Sequence, residues 1–485
     1  MPPRRSPPAS PSPSPDTTWA EQEFGHADLG DRRLTRRLVA LAAQAAVRPA
    51  GLVSAIFADD ARAREAAYDF LENVRVAPAA LAAAHHAATA RRCAEHPRVF
   101  CAVDGSSLQY ADADGARGLG ALGPRSKGAK GLKTLLGLAL APDGTPLGVL
   151  GTRLWARGPK AARHHHQRAL EDKETRFWHE VLDQAVDALA PVAPACRLWF
   201  VLDREGDSWT LLRKAEALAD EGHWTTIRAK ADRRLVRDPD GADEAEPGGK
   251  LFEALARAPV EATYELPVPA GPGRRARTAR LTLRFQELTL AVGDKRATRR
   301  QPARVWVVLV QEQGPCPAGE APVCWRLLTT RPVESVEDAC QVVDGYGLRW
   351  RIEQLHEAMK ERGMRLEDSQ LQARDHLERF VVLGVALAVR VLRLVYLARE
   401  RPERPATDEL TPREVQALAW RKGLAAAERA SLTMGEAVGL LAKLGGHIGP
   451  PARRPIGYRV VVRGLCELRP LVQMLAEGLG PAEPA

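Results

Sequence analysis

The chain has 485 residues, of which 45% are apolar and 27% charged, proportions that allow more than one packed core. Lys and Arg outnumber Asp and Glu by 70 to 61, a formal charge of +9 with a pI near 9.3, which is compatible with a polyanionic partner without requiring one. Seven cysteines lie scattered and never as CxxC, which argues against a disulfide framework or a zinc ribbon and fits a reducing cytosol.

Taken in chain order, residues 1–16 are nearly all Pro, Ser and Arg, too poor in apolar surface to offset their ordering entropy, so a disordered tail is expected there. No hydrophobic signal core is visible, so secretion is not expected. Residues 17–96 read as helices. Asp31 is placed to cap a helix over Arg32–Ala46. At ~100° per residue, Arg32, Arg33, Arg36 and Arg37 share an arc of about 140°, opposite Leu34, Leu38 and Leu41. A solvated charged face explains that pattern, and so does a phosphate-binding face.

Strand patterns follow. Val99–Val103 ends at Asp104. Leu132–Leu140 and Leu147–Leu154 flank a Pro142-Asp-Gly-Thr turn and predict a hairpin. A helix is expected over Glu174–Leu189, and Leu198–Leu202 is a buried strand ending at Asp203, with a helix near Trp209–Ala219. Residues 225–328 form a β-rich block, with Ala279–Phe285 and Leu288–Val292 as separate strands. From Val333 the pattern is helical again, including one helix from Tyr346 to Arg362. The most apolar run, Val381–Val389, stops at Arg390 and reads as a buried helix shorter than the ~20 residues of a bilayer span, so no membrane is expected.

The chemistry suggested by these elements rests on three acids. Asp104 and Asp203 each close a buried strand, and carboxyl ends of strands face the crevice of an open sheet. With a helix-borne Glu353 facing them, they could hold two Mg²⁺ or Mn²⁺ ions about 4 Å apart, the hard-oxygen arrangement that activates water at phosphorus. Asp after a strand is equally at home as a turn residue. On one continuous helix, Tyr346, Arg349, Glu353 and Lys360 would fall in a stripe about 60° wide, although Arg349 and Glu353 also make an ordinary i,i+4 ion pair.

The spacing Tyr346-x2-Arg349-x3-Glu353-x6-Lys360 resembles the YREK signature of bacterial cut-and-paste transposases of insertion-sequence family four, Tn-five type. Similar to the same family are Ala102-Val-Asp104-Gly-Ser-Ser, Leu202-Asp203-Arg-Glu-Gly-Asp207, and Trp325 to Ser335. So are Leu29 to Val39, and Ala67-Tyr68 to Asn73, within the stretch that resembles terminal-repeat-binding helices. The resemblance runs from about Trp19 to Leu479, with looser stretches at Leu154–His166 and Arg453–Arg459.

The resemblance implies an α/β fold: an RNase H-like mixed sheet with a β-rich insertion, flanked by an N-terminal all-α DNA-binding domain and a C-terminal helical domain. The parts implied are a core over 97–224, the insertion over 225–328, a second part of the core over 329–372 and a dimerisation domain over 373–485. Asp104, Asp203 and Glu353 would be a catalytic, metal-binding DDE triad. Tyr346, Arg349 and Lys360 would grip phosphates, and Trp325 would stack on a flipped base during hairpin formation. Arg32, Arg33, Arg36 and Arg37 would meet DNA. The implied partners are double-stranded DNA, as terminal inverted repeats and target, and a second copy in a homodimeric synaptic complex. The implied setting is a bacterial cytoplasm at the nucleoid. A catalytically silent DNA-binding remnant of the same element would share the sequence, and a structure-specific nuclease would share the core. A glycosidase is disfavoured because its carboxylate pair would not be lined with Arg and Lys. The His164-His-His run is expected to be a solvated loop, since three adjacent imidazoles do not easily converge on one ion.

Overall fold

The computed structural model describes residues 18–112, 115–123, 128–158, 168–236, 247–268, 275–293, 300–360, 363–424, 432–449 and 455–477. The Pro/Ser tail, His164–His166 and Arg453–Arg454 lie outside them. The chain divides into two compact units. One takes in residues up to Ala88 together with those from Ala358 onward, and the other is Thr89–Glu357.

In chain order the elements begin with α1 (Trp19–Phe24), α2 (Arg32–Val47), α3 (Val53–Ile56), α4 (Ala61–Glu72) and α5 (Pro78–Cys93). Next come β1 (Arg98–Tyr110), β2 (Gly120–Ala121), β3 (Lys130–Leu140), β4 (Pro146–Trp155), α6 (Thr175–Leu189), β5 (Arg197–Leu202), α7 (Trp209–Asp220) and β6 (Trp224–Arg228). The β-rich block holds β7 (Arg234–Val236), β8 (Pro247–Lys250), α8 (Leu251–Arg257), β9 (Ala262–Val268), β10 (Arg277–Val292), β11 (Gln301–Glu312) and β12 (Cys324–Thr329). The chain then runs through α9 (Val336–Gly347), α10 (Trp350–Met359), α11 (Arg374–Glu400), α12 (Pro412–Lys422), α13 (Met434–Leu444) and α14 (Tyr458–Ala476).

All the strands lie in the second unit, so its fold is mixed α/β. Its twelve described strands form one sheet in the order β2-β3-β1-β5-β6-β12-β11-β10-β7-β8, with β4 on β3 and β9 on β10. β4, β3 and β1 run antiparallel, whereas β1, β5 and β6 run parallel. The parallel-paired stretches Val99–Val103 and Leu198–Leu202 are all apolar because both faces are covered. Phe200, Val201 and Leu202 have no solvent exposure, and Val181, Leu182, Leu211 and Leu212 of α6 and α7 join the same core. The predicted hairpin is present: Thr145 N–H donates to Asp143 Oδ1 at 2.9 Å, and Gly144 takes φ +83°, which glycine adopts without strain.

Three expectations are corrected here. The strand expected to end at Asp104 does not stop there: β1 continues to Tyr110, with Asp104 opposite Leu136 of β3, because pairing with β3 carries the polar Gly105–Ser107 stretch along. Ala279–Phe285 and Leu288–Val292 belong to one strand, β10, paired with β11 without a break from Leu281 to Val292. The Gln286-Glu287 pair does not break it, because that stretch is only partly covered and Glu287 is exposed to solvent. The single helix expected from Tyr346 to Arg362, whose last two residues lie outside the described ones, is likewise split between two helices. α9 stops at Gly347, and the backbone tightens to i→i−3 bonds, with Arg349 N–H on Tyr346 O at 3.1 Å and Ile352 N–H on Arg349 O at 3.1 Å.

The start of α9 is fixed by an ion pair. Arg331 Nη2 donates to Asp338 Oδ1 at 2.7 Å, and Ser335 caps the helix through Asp338 N–H at 3.1 Å. The Arg331 side-chain hydrogen bond, with that from Ser335, pulls the Asp338 carboxyl down to about 2 from its ordinary 3.8. A depressed carboxyl stabilises the fold above its ordinary value and loses that contribution as pH falls through the folded one. The unfolding-midpoint difference between wild type and Asp338→Asn is therefore expected to be full above pH 4 and to shrink as pH falls towards 2. A pH-independent difference would assign Asp338 no charge-linked role.

The other unit is helical. The 27-residue α11 is long and apolar enough to cross a membrane, but its most apolar 18-residue stretch is entirely buried in the protein, as a core helix would be. Its length exceeds the short run expected from sequence because Arg379, Arg390 and Arg393 are tolerated inside it, each with buried acceptors. Arg390, 2% exposed, donates to Ala46 O at 2.7 Å and to both oxygens of Glu414 at 3.1 Å. Arg393 binds Glu409, and Arg379 donates to Leu71 O at 2.9 Å. Arg469 of α14 reaches Ile56 O at 3.1 Å. The N-terminal and C-terminal helices therefore share one packed interior.

Removing one partner of such a buried pair leaves an uncompensated charge. Glu414→Ala should cost roughly 3–5 kcal/mol, whereas Arg390→Met combined with Glu414→Leu should recover most of that loss. The shift in urea midpoint measures both. A single variant as stable as wild type would show that the pair contributes little.

Candidate active site and nucleic-acid face

The register of the sheet fixes the first two acids. Val103 of β1 is opposite Leu202 of parallel β5, so Asp104 and Asp203 are the next residues along two adjacent strands. Gly105 N–H donates to Asp104 Oδ1 at 2.7 Å and Glu205 N–H to Asp203 Oδ1 at 2.7 Å, which orients each carboxylate from its own backbone.

Glu353 arrives from α10, and the break between α9 and α10 sets the direction of Arg349. Gly345 packs against Phe100 so closely that a Cβ there would lie 2.4 Å from its ring. A Cβ on Gly144, at the hairpin turn, would sit 2.9 Å from Leu348. β1 and the hairpin thus pin both sides of the break. Arg349 Nη1 then lies 2.7 Å from Asp104 Oδ2, and Nη2 lies 3.3 Å from Glu353 Oε1.

Burial pushes the Asp104 carboxyl up to about 7. Arg349 opposes the rise, and the nearby charges of Asp203 and Glu353 add to it. Burial also works against the Arg349 charge, but Asp104, Tyr346, Glu353 and Asp203 outweigh it and hold its pKa above the ordinary value. All three acids therefore act on one electrostatic site, with Asp104 and Glu353 in direct contact with its guanidinium.

Tyr346 is buried at the end of α9, and Trp325 of β12 meets it edge-on with ring centroids 5.3 Å apart. Arg228, at the end of β6, hydrogen-bonds the Tyr346 hydroxyl. Lys360 falls beyond the last residue of α10 and belongs to the helical unit. The expected four-residue stripe is thus replaced by Tyr346, Arg349 and Glu353 gathered across a helix break.

Two residues at this site were not anticipated. Arg228 had no signal beyond its place at a strand end. His356 is buried on α10, and a ring nitrogen lies within 4.8 Å of carboxylate oxygens of Asp104 and Glu353, which are themselves as close to each other. Its signal was the Glu353-x-x-His356 spacing, which puts two ligand types on one helix face. The donor set of carboxylates and imidazole suits a divalent cation.

On the helical unit, Asp31 caps α2 as expected, accepting from Arg33 N–H at 2.8 Å. Leu34, Leu38 and Leu41 are buried, and Arg32, Arg33, Arg36 and Arg37 are exposed. Asp31 also holds the Arg33 guanidinium at 2.9 Å. Among the described residues, Arg32, Arg36 and Arg37 form no ion pair. Arg32 and Arg36 border an open recess of about 610 Å³ at the start of α2, whose lining also includes Asp28 and Thr35.

The family of transposase DNA-binding domains matches residues 16–76. The match takes in α1 to α4 and the exposed arginine face, and it supports a DNA-binding, transposase-type protein. If those arginines meet phosphates, replacing Arg36 with Gln should lower the slope of log affinity against log salt by about 1. Arg33→Gln should lower it less, since Asp31 already shares that charge. Equal slopes in wild type and Arg36→Gln, measured by anisotropy on duplex DNA, would move the contact to another surface.

Proposed function

We propose that this protein is a DDE transposase of the insertion-sequence family four type, which binds terminal inverted repeats and cuts and rejoins DNA strands. The observation that carries this reading is that Asp104 and Glu353 both contact Arg349, with Asp203 near enough for its charge to act on Asp104 and Arg349, in a chain whose residues 16–76 match transposase DNA-binding domains. The order β4-β3-β1-β5-β6, antiparallel and then parallel, supports the RNase H-like core. The β-rich block after β6 supports the insertion.

Asp104, Asp203 and Glu353 would hold Mg²⁺ or Mn²⁺. When bound, such ions lower the pKa of water and stabilise the charge that develops on the leaving oxygen. The chain's own groups do the positioning. Arg349 offers its guanidinium to the strand's phosphate once a cation balances Asp104 and Glu353. Tyr346, held by Arg228 and Trp325, orients the strand and is not a nucleophile. The Trp325 face offsets about 1–3 kcal/mol of stacking lost by a base drawn out of the duplex. Hydrolysis of one phosphodiester leaves a 3′-hydroxyl at the element's end, and attack of that hydroxyl on the opposite strand's phosphodiester displaces the flanking strand's 3′-oxygen as a hydroxyl and forms a hairpin without a protein–DNA bond. Two subunits would bring the two ends together.

Asp104→Ala, Asp203→Ala and Glu353→Ala should each reduce Mg²⁺-dependent nicking of end-bearing DNA by at least about 10³-fold. Band-shift affinity for the same DNA should stay within about threefold of wild type. Nicking that survives any of these changes would reject the triad. A wild-type protein that shifts the DNA and never nicks it would instead be the silent regulator.

A further inference from the structure

We infer that His356 is a protein ligand at the Asp104–Glu353 site, giving a mixed carboxylate–imidazole set that takes Mn²⁺ ahead of Mg²⁺. The inference rests on the metal-dependent reading above and refines it, because three acids alone offer only oxygen.

The geometry carries it. Glu353 and His356 are three residues apart on α10 and so occupy one helix face. One ligand atom each from Asp104, Glu353 and His356 lies within 4.8 Å of the other two. Three donors bonded to a common ion at ~2.1–2.2 Å lie about 3–4.4 Å from one another, so side-chain adjustments of up to about 1–2 Å bring all three onto it. His356 is 5% exposed, so its imidazole is already withdrawn from bulk water and positioned by packing. The same pocket already accommodates a positive charge: the Arg349 guanidinium rests 2.7 Å from Asp104 and 3.3 Å from Glu353.

The chemistry then separates the two ions. Mg²⁺ is held by hard oxygen, sheds water reluctantly and gains little from an imidazole. Mn²⁺ accepts carboxylate and, as a first-row transition ion, binds nitrogen more readily. A residue that ligates directly should therefore matter for one ion far more than for the other, whereas a residue that only packs against Glu353 should affect both alike.

The test uses the full-length chain. Free Mn²⁺ is followed by its electron paramagnetic resonance signal during titration, and Mg²⁺ affinity by competition. Wild type should bind Mn²⁺ at least about tenfold more tightly than Mg²⁺, and the bound Mn²⁺ should show electron spin-echo modulation from an imidazole nitrogen. His356→Gln and His356→Ala should weaken Mn²⁺ by about 10–100-fold, leave Mg²⁺ within about threefold, and abolish the nitrogen modulation. Unchanged thermal unfolding and DNA band shift show that the variants are folded; if His356→Ala is not, His356→Gln decides.

Mn²⁺ affinity and modulation unaltered in the His356 variants would overturn the assignment. If Asp104→Asn then abolishes Mn²⁺ binding, the carboxylate site stands without the histidine. If Asp104→Asn also binds normally, the metal-dependent reading itself fails.

Discussion

Like charges cannot be crowded into a partly buried site unless something of opposite sign stands among them, and this requirement organises the sheet-bearing unit. Asp104 and Asp203 are brought side by side by the parallel pairing of β1 and β5, and Glu353 is added from α10. The fold answers with a single guanidinium, which touches Asp104 and Glu353 at once. Even so, burial, with the nearby charges of Asp203 and Glu353, keeps the Asp104 carboxyl near 7 against the pull of Arg349. Such a site favours additional positive charge, and that is the physical basis for reading it as a metal centre.

The position of that guanidinium depends on a local irregularity. A continuous helix would have set Arg349 by helical rotation alone. The i→i−3 turn between α9 and α10 sets it instead by contacts from elsewhere: Phe100 against Gly345, and the hairpin turn against Leu348. β1 therefore supplies both a catalytic candidate, Asp104, and the ring that closes off any side chain at Gly345. A substitution at either contact would act on the site without touching an acid.

Much of this was legible from the residues, for identifiable reasons. Asp104 and Asp203 stood out because each follows a short apolar run, although only Asp203 follows a strand end, whereas β1 continues past Asp104 to Tyr110. The arginine face of α2 was legible because 3.6-residue periodicity separates it cleanly from Leu34, Leu38 and Leu41. The helix break was not, since Tyr346 to Lys360 has helical composition throughout and the tightening depends on tertiary contacts. Nor was the continuity of β10, where Gln286 and Glu287 look like an interruption until their partial exposure is known. His356 was present as Glu-x-x-His, but an i,i+4 pairing of Arg349 with Glu353 drew attention to the other side of the motif. Residues 16–76 match a known domain family; Asp104 and Asp203 lie outside that match.

The arginines of α11 and α14 tie together parts of the polypeptide that are very distant in sequence: Arg390 and Ala46 are 344 positions apart, and Arg469 and Ile56 are 413 apart. A ribosome releases the first helices long before it makes the side chains that satisfy their carbonyls. The segment with the exposed arginine face therefore has an unfinished interior throughout elongation, and a chain interrupted before α11 never completes it. Late, non-local contacts of this kind slow folding because loop closure precedes the reward. Excising the first ninety residues as a stand-alone DNA reader would thus remove the α11 and α14 side of their interior, and a shorter reagent would need its own surrogate for α11.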